Sequence, residues 1–324
     1  MTEPVAAAFR AHERLLWALC YRMTGSAADA DDLVQETFAR ALAAPPPDLV
    51  ASLRPWLVRV AMNLARDQLR RRRRTRYDGP WLPAPIDTDD ELGAADLPVA
   101  HEPAHTEARY DLLESVTLAF LIALEALSPP QRAVLLLRDV FDYSVAETAE
   151  ALGLSVSNVK TTHHRARRAM AGYDGGRAAR TAELGDRTRA ALERFLVAVS
   201  TQDVAAVERM LADDVRALSD GGEFLAARVP LVGPARVARA YVRLAAKLSE
   251  ESAAGVRREV RSVNGLPALV FEHDRPPRRW APRWMLQVDL GPDGLIRAVH
   301  SVLAAPKVAS LRAVSPSTAT IQPG

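Results

Sequence analysis

One cysteine, Cys20, stands in 324 residues, which excludes an intrachain disulfide and suits a reducing compartment. No apolar run approaches the roughly 18 residues that cross a bilayer. The opening MTEPVAAAFRAHERLL lacks a basic stretch followed by an apolar one, so no secretory signal is expected and the cytoplasm is the expected location. Also missing are a metal-ligand cluster, a phosphate-cradling glycine loop and a nucleophile elbow. The sequence therefore assigns no catalytic residue, no metal and no cofactor.

What is present is charge, unevenly spread. The net charge is only +2. Yet residues 1–76 carry 13 basic and 8 acidic side chains, a balance of +5. Residues 77–114 carry 10 acids and one arginine, a balance of −9. Residues 153–180 return to +5, with six basic groups and one acid. Two basic blocks around an acidic linker suit two contacts with a polyanion.

Helical spacing runs through residues 5–23, breaks at Thr24-Gly25-Ser26, and resumes to about Ala43 with Leu33, Val34, Phe38, Ala41 and Leu42 on the apolar side. Ser26 with Asp29 resembles a capping box. Three prolines from Pro45 end that helix, and Pro55 opens another that runs out into Arg70–Arg74. Residues 77–105 are aperiodic and read as a linker. Helical spacing returns at 110–127. Ser128-Pro129-Pro130-Gln131 and Ser144-x-x-Glu147 are helix starts, and the glycines at 172, 175 and 176 close this part. Beyond residue 184, one or two helices (188–201, 204–211) precede strands at 215–218, 256–263, 268–273, 283–290 and 295–302, with hairpin turns at Asn264-Gly265 and Pro292-Asp293-Gly294. This reads as an α+β domain on an antiparallel sheet, followed by a flexible tail.

The sharpest local signal is a helix-turn-helix over residues 145–170 with Gly153 at its turn. Ser155, Ser157, Asn158, Lys160, Thr161, His164, Arg165 and Arg168 face outward on its second helix. Short polar groups at the start of such a helix reach base edges, and later arginines reach phosphates.

Around it the sequence resembles the extracytoplasmic-function (ECF) sigma factors. Asp29-Ala30-Asp31-Asp32-Leu33-Val34-Gln35-Glu36-Thr37-Phe38 is similar to the family's region 2.2. The resemblance implies that Asp29, Asp32, Gln35 and Glu36 dock on the β′ coiled coil of core RNA polymerase. The stretch from Arg54 to Asp67 with the following arginines resembles regions 2.3 and 2.4. That implies capture of single-stranded −10 DNA by Arg59, Asn63, Arg66, Asp67, Arg70 and Arg71, with residues 47–52 in the pocket for an extruded base. Residues 127–138 resemble the first half of region 4, so the helix-turn-helix would take the −35 duplex and also touch the β flap.

Tyr77-Asp78-Gly79-Pro80-Trp81-Leu82-Pro83-Ala84-Pro85 resembles the linker motif of the SigJ-like subgroup, with Trp81, Leu82 and Pro83 as interdomain contacts. Members of that subgroup carry a C-terminal SnoaL-like (NTF2-type) cone. The implied fold is multidomain: two all-α sigma domains plus an α+β SnoaL-like cone. Its divisions are region 2 at 1–76, linker at 77–108, region 4 at 109–172, regulatory domain at 184–306 and flexible tail at 307–324. The regulatory turn is Asp220-Gly221-Gly222. The family's following lysine is absent there, and Ala304-Ala305-Pro306-Lys307 stands for Asn-Pro-Asp-Lys. A small-molecule ligand is one further partner the cone would admit. Two other classes compete: a helix-turn-helix repressor, and a SnoaL-like hydrolase or isomerase using Asp213, Asp214, His273, Asp289 or His300. Trp280, Trp284 and Phe271 read as core.

Overall fold

The computed structural model describes residues 3–44, 53–75, 77–88, 109–177, 181–252 and 255–315. They form two compact units: Met1–Arg76 with Asp90–Gly175, and Tyr77–Asp89 with Gly176–Gly324. No helix among the described residues is long and apolar enough to cross a membrane.

The first unit opens with α1 (Glu3–Thr24), α2 (Ala27–Ala43) and α3 (Leu53–Arg74). Their apolar stripes, including Leu16, Leu19, Val34, Phe38, Leu57 and Ala61, close on one another. Gly25 takes a positive φ of 69 between α1 and α2, and Ser26 Oγ accepts from the Asp29 N–H at 3.2 Å. The expected capping box is only half built, because the Asp29 carboxylate accepts from Gln68 Nε2 instead, at 3.3 Å.

The stretch 110–127, expected as one helix, is broken into a 3-10 turn (Glu114–Val116), α4 (Leu118–Ala123) and a second 3-10 turn (Leu124–Ala126). The cause is local competition for the backbone. Asp111 accepts from Glu114 N–H, Ser115 Oγ donates to the Leu112 carbonyl, and Thr117 Oγ1 caps Phe120 N–H. Then come α5 (Pro129–Asp139), α6 (Val145–Leu152), α7 (Val156–Ala169) and α8 (Ala171–Gly176). Ser128 and Ser144 each form the full reciprocal capping box, and Gly153 closes α6 at φ 63. Ser144→Ala removes one such box and is expected to cost about 1 kcal/mol, read as a lower urea midpoint with an unchanged slope.

The first unit ends at Gly175, and the glycines at 172, 175 and 176 lie within the short helix α8, where tertiary contacts override their weak helix propensity. Tyr173 meets the rings of Phe120 and Tyr110 edge-on, at 5.5 and 6.2 Å. Asp174 accepts from Arg109 at 2.7 Å and from the Tyr110 hydroxyl at 2.9 Å.

The second unit holds α9 (Ala182–Ser200), α10 (Val204–Met210), β1 (Leu211–Asp220), β2 (Leu231–Val232), α11 (Pro234–Ser252), β3 (Val256–Val263), β4 (Leu266–His273), β5 (Arg283–Leu290), β6 (Ile296–Val302) and α12 (Ala305–Val308). Strand order is β2-β1-β6-β5-β4-β3. The sheet is mixed, not antiparallel: β1 runs parallel to β6, with α11 and the four strands β2 to β5 intervening between them. Helix α11 is an addition to the expected elements; its Val237, Ala238, Tyr241 and Val242 are buried at helical spacing between exposed arginines. One sheet face packs Leu269, Phe271, Leu286, Val288 and Val299 into a core with α9, α10 and α11, where Phe271 and Trp284 stack at 4.8 Å.

The opposite face holds two segments that the sequence placed elsewhere. Residues 77–88, expected as the start of a linker, are held within this unit. Leu82, Ala84 and Ile86 are buried, and Ile86 N–H donates to Asn264 Oδ1 at 3.1 Å. Nor is the chain flexible from 307: Val308, Leu311 and Val314 are buried. Arg257 and Arg283 hold the Val314 and Leu311 carbonyls, each at 2.8 Å. Burial of those three apolar side chains offsets the ordering entropy. Residues 316–324 lie outside the described residues, as do 45–52 and 89–108.

Candidate functional site

On α2, Asp32, Gln35 and Glu36 lie on one exposed face, while Asp29 is half-buried against Gln68. Glu36 keeps an exposed pair with Arg40 at 2.8 Å. This acidic patch stands away from the helix core, as a docking face for a basic partner requires.

On α7 all eight singled-out residues are exposed, and Val159 and Ala166 are buried beneath them. Ser155 also serves the helix itself, since its Oγ accepts from Asn158 N–H at 3.2 Å as the N-cap of α7. That leaves Ser157, Asn158, Lys160, Thr161, His164, Arg165 and Arg168 as an open basic and polar surface. The far side of α7 is gripped by Asp139, whose buried carboxylate accepts from His163 and Arg167. Burial alone would raise that carboxyl's pKa, but its two partners hold it below the ordinary value.

On α3 the six expected residues do not form one free surface. Arg59, Asn63, Asp67, Arg70 and Arg71 are exposed, with Arg70 paired to Asp67 at 2.8 Å. Arg66 is half-buried: its guanidinium donates to Asn63 Oδ1 at 3.2 Å and to the Leu152 carbonyl of α6 at 3.4 Å. Burial, then neighbouring Arg70, lower its pKa. Arg59 lies close to Gly153, and burial raises the pKa of Tyr143, which Arg54 bonds. The face of α3 expected to read −10 DNA thus turns in part toward the helix-turn-helix. The candidate base pocket at 47–52 falls outside the described residues.

The arginines that hold this packing are not distinguished in the sequence from those that face solvent. Arg72 donates both to the Thr24 carbonyl at 2.7 Å and to the Glu125 carboxylate at 2.6 Å. Arg132, 2% exposed, donates to the Met23 and Leu124 carbonyls at 2.8 and 2.6 Å and to Glu125 at 2.7 Å. Arg73 reaches the Leu127 carbonyl at 2.5 Å. Arg22, fully buried, donates to Ser115 Oγ at 2.7 Å and to the Leu112 carbonyl at 2.9 Å, and burial takes its pKa down to about 10. Glu125 is held below its ordinary value: burial works against this, and Arg132 and Arg72 outweigh it.

In the second unit the turn and the linker meet. Asp220, fully buried, accepts from the Tyr77 hydroxyl, from Leu82 N–H at 2.8 Å and from Lys307 Nζ at 2.5 Å. Lys307 Nζ also donates to the Leu82 carbonyl at 2.5 Å and lies over Trp81 at 4.2 Å and Tyr77 at 4.9 Å. Burial, then the Asp220 bond and charge, raise the Tyr77 pKa. Pro83 is buried beside them. Gly221 is required by close approach, since an added Cβ would stand 2.4 Å from that of Ala226. Only Lys307 standing where the family pattern has a lysine hinted at this pairing.

The five residues of the enzyme alternative do not converge. Asp213 and Asp214 are exposed on β1. His273 caps Arg275 N–H through Nδ1 at 3.3 Å, at the end of β4. Only Asp289 and His300 meet, at 3.7 Å. Burial raises the Asp289 pKa, and His300 pulls against it.

Comparison with known proteins matches this geometry. Sigma-70 region 2 matches residues 8–75, and Sigma-70, region 4 matches 118–170. The ECF RNA polymerase sigma factor SigG of Mycobacterium tuberculosis is 45% identical over 166 residues, covering 48% of this chain and 45% of the relative. SigJ of the same organism is 38% identical over 164 residues, covering 50% and 48%. The chain thus spans about half the length of these curated relatives. The crystal structure of M. tuberculosis SigJ superposes with a TM-score of 0.69 at 24% identity, covering 94% of this chain and 98% of that one. This establishes the same fold, C-terminal unit included. SigW of Bacillus subtilis is 31% identical over 156 residues, and the match covers 80% of its length. With region 2 and region 4 in order, an identity of this level over most of a complete relative places the chain in the family of ECF RNA polymerase sigma factors.

Proposed function

We propose that this chain binds core RNA polymerase and directs promoter-specific initiation of transcription, with the C-terminal SnoaL-like unit modulating that activity through residues 77–88. The observation that carries the reading is the pairing of an exposed acidic face on α2 with an exposed basic face on α7. One suits a basic docking surface on polymerase, and the other a −35 major groove. A factor that works on polymerase works in the cytoplasm. The packing of α3 against α6 is a closed form, in which Arg66 is engaged at home. Capture of −10 DNA by Arg59, Asn63, Arg66, Asp67, Arg70 and Arg71 requires α3 to part from the helix-turn-helix.

In vitro transcription with core enzyme on fragments of the source genome tests this. The wild-type chain is expected to give discrete start sites. The double reversal Asp32→Arg with Glu36→Arg is expected to reduce output at least about tenfold by placing like charges on the docking face. A wild-type chain that binds promoter fragments yet leaves core enzyme idle would be a repressor, and the reading would fail.

A further inference from the structure

Residues 224–249 carry five basic side chains and no acid. Four of the five, Arg236, Arg239, Arg243 and Lys247, lie on α11, and all four are exposed. At about 100° per residue they fall within an arc of about 80°, opposite the buried Val237, Ala238, Tyr241 and Val242. The row runs about 16 Å along the helix axis at about 1.5 Å per residue. Helix α9 packs beside α11 in the same unit and has the same length of 19 residues. Yet α9 carries three acids and three arginines. The basic row therefore belongs to α11 and not to the composition of the unit.

That row works against the helix that bears it. Arg236 stands in the first turn, where the dipole disfavours a cation, and no acid offsets it there. Arg239 with Arg243, and Arg243 with Lys247, are like charges four positions apart, and each such pair is destabilising. The acids of α11, Glu250 and Glu251, come at its C-terminal end, where the dipole disfavours them too. A solvated face supports its helix with opposite charges four apart, as α9 does with Glu183 and Arg187 and with Arg189 and Glu193. A uniform row is relieved by a polyanion from outside.

We infer that the face of α11 bearing Arg236, Arg239, Arg243 and Lys247 lies on the phosphate backbone of duplex DNA, giving the C-terminal unit a sequence-independent hold on the promoter. The inference rests on α7 being the −35 helix, which brings a duplex to the chain. The chemistry of the row favours that partner over an acidic protein. A duplex presents a charge about every 3.4 Å of axis on each strand, so a straight row of four cations meets phosphates in any register. Three of the four are arginines, whose planar fork takes two phosphate oxygens at once. Ala240, Leu244 and Ala246 flank the row and offer no side-chain hydrogen bond to a base edge. Such a face holds DNA without reading it.

The test uses the full chain and two duplexes of about 40 base pairs, roughly four turns. One is recovered by the wild type from a randomised pool, and the other is its scrambled counterpart. Fluorescence anisotropy gives both affinities from about 0.05 to 0.2 M salt. Arg239→Gln with Arg243→Gln removes two charges, keeps good helix formers and relieves the like-charge pairs, so its melting temperature is expected not to fall. Its affinity for both duplexes is expected to drop about tenfold at about 0.1 M salt, with the log–log salt slope shallower by about 1.8. The ratio between the two duplexes should stay at the wild-type value. Arg239→Lys with Arg243→Lys should restore the slope, because it restores the charge. Arg189→Gln with Arg194→Gln takes the same charge from α9 and should keep the wild-type slope. A wild-type slope in the glutamine variant of α11, an equal loss in the α9 variant, or a changed ratio between the duplexes overturns the inference. So does an α11 variant that binds DNA as the wild type does yet loses promoter-directed transcription, since the row would then meet polymerase. A wild-type chain that selects no duplex from the pool would instead remove the −35 reading beneath it.

Discussion

Exchanging Lys307 for methionine is expected to loosen residues 77–88 and to cost the C-terminal unit about 2–4 kcal/mol. Methionine keeps the apolar stem and removes only the charge, so the loss reports the clasp rather than a cavity. Asp220 would be left fully buried with two of its three donors, the Tyr77 hydroxyl and the Leu82 N–H. Trp81 and Tyr77 would lose the cation over their faces. Two measurements read this. Urea melting should show the drop in stability. Hydrogen exchange at Leu82 and Ile86, whose amides bond Asp220 and Asn264, should accelerate by about thirtyfold or more. Adding Asp220→Asn removes the buried charge and should recover much of the loss, a coupling that a double-mutant cycle isolates. Unchanged protection in Lys307→Met would show that the clasp does not hold the linker. A loosened linker with wild-type promoter-directed transcription would remove the regulatory role.

That clasp also marks where sequence reasoning stops. Ser128, Ser144 and Gly153 are legible because capping and turning are settled within four residues. The outward face of α7 is legible for the same reason, since helical periodicity alone separates Val159 and Ala166 from Lys160 and Arg165. Asp220 and Lys307 are 87 positions apart, and neither the local composition around Lys307 nor its short polar tail shows that the chain turns back there. The run Arg70–Arg74 shows a second limit. Five consecutive arginines read as one basic end, yet Arg72 turns inward to Glu125 while Arg70 and Arg71 face solvent. Charge in a sequence gives the sign of a surface only after packing has decided which side chains belong to it. Asp139 is hidden likewise: a carboxylate ending an apolar helix looks exposed until α7 brings His163 and Arg167 over it.

Glu125→Gln is expected to open the first unit. Arg72 and Arg132 share this one carboxylate, and Arg132 has almost no access to water. A neutral amide accepts one of those hydrogen bonds but supplies no charge, so two guanidiniums would face each other across a half-buried site. Because Glu125 is 32% exposed, water offsets part of the loss, and about 2–3 kcal/mol is the expected cost. A change of that size raises the open population by about thirty- to 150-fold. Its site is the seam between α1–α3 and α4–α5, so the helices of each part should persist while the parts separate. Spin labels on Arg40→Cys and Glu150→Cys measure that separation directly. Cys20 will not interfere: it is fully buried, and burial raises its thiol pKa to about 12. The parent chain should give one short distance, and Glu125→Gln a broad, longer distribution at unchanged helix content. Opening frees Arg66 from the Leu152 carbonyl, so binding of single-stranded −10 DNA should rise in step with the longer distances. Separation without any gain in strand binding would mean that the α3 face is not the −10 reader. A distance unchanged by the substitution would mean that Glu125 does not hold the two parts together.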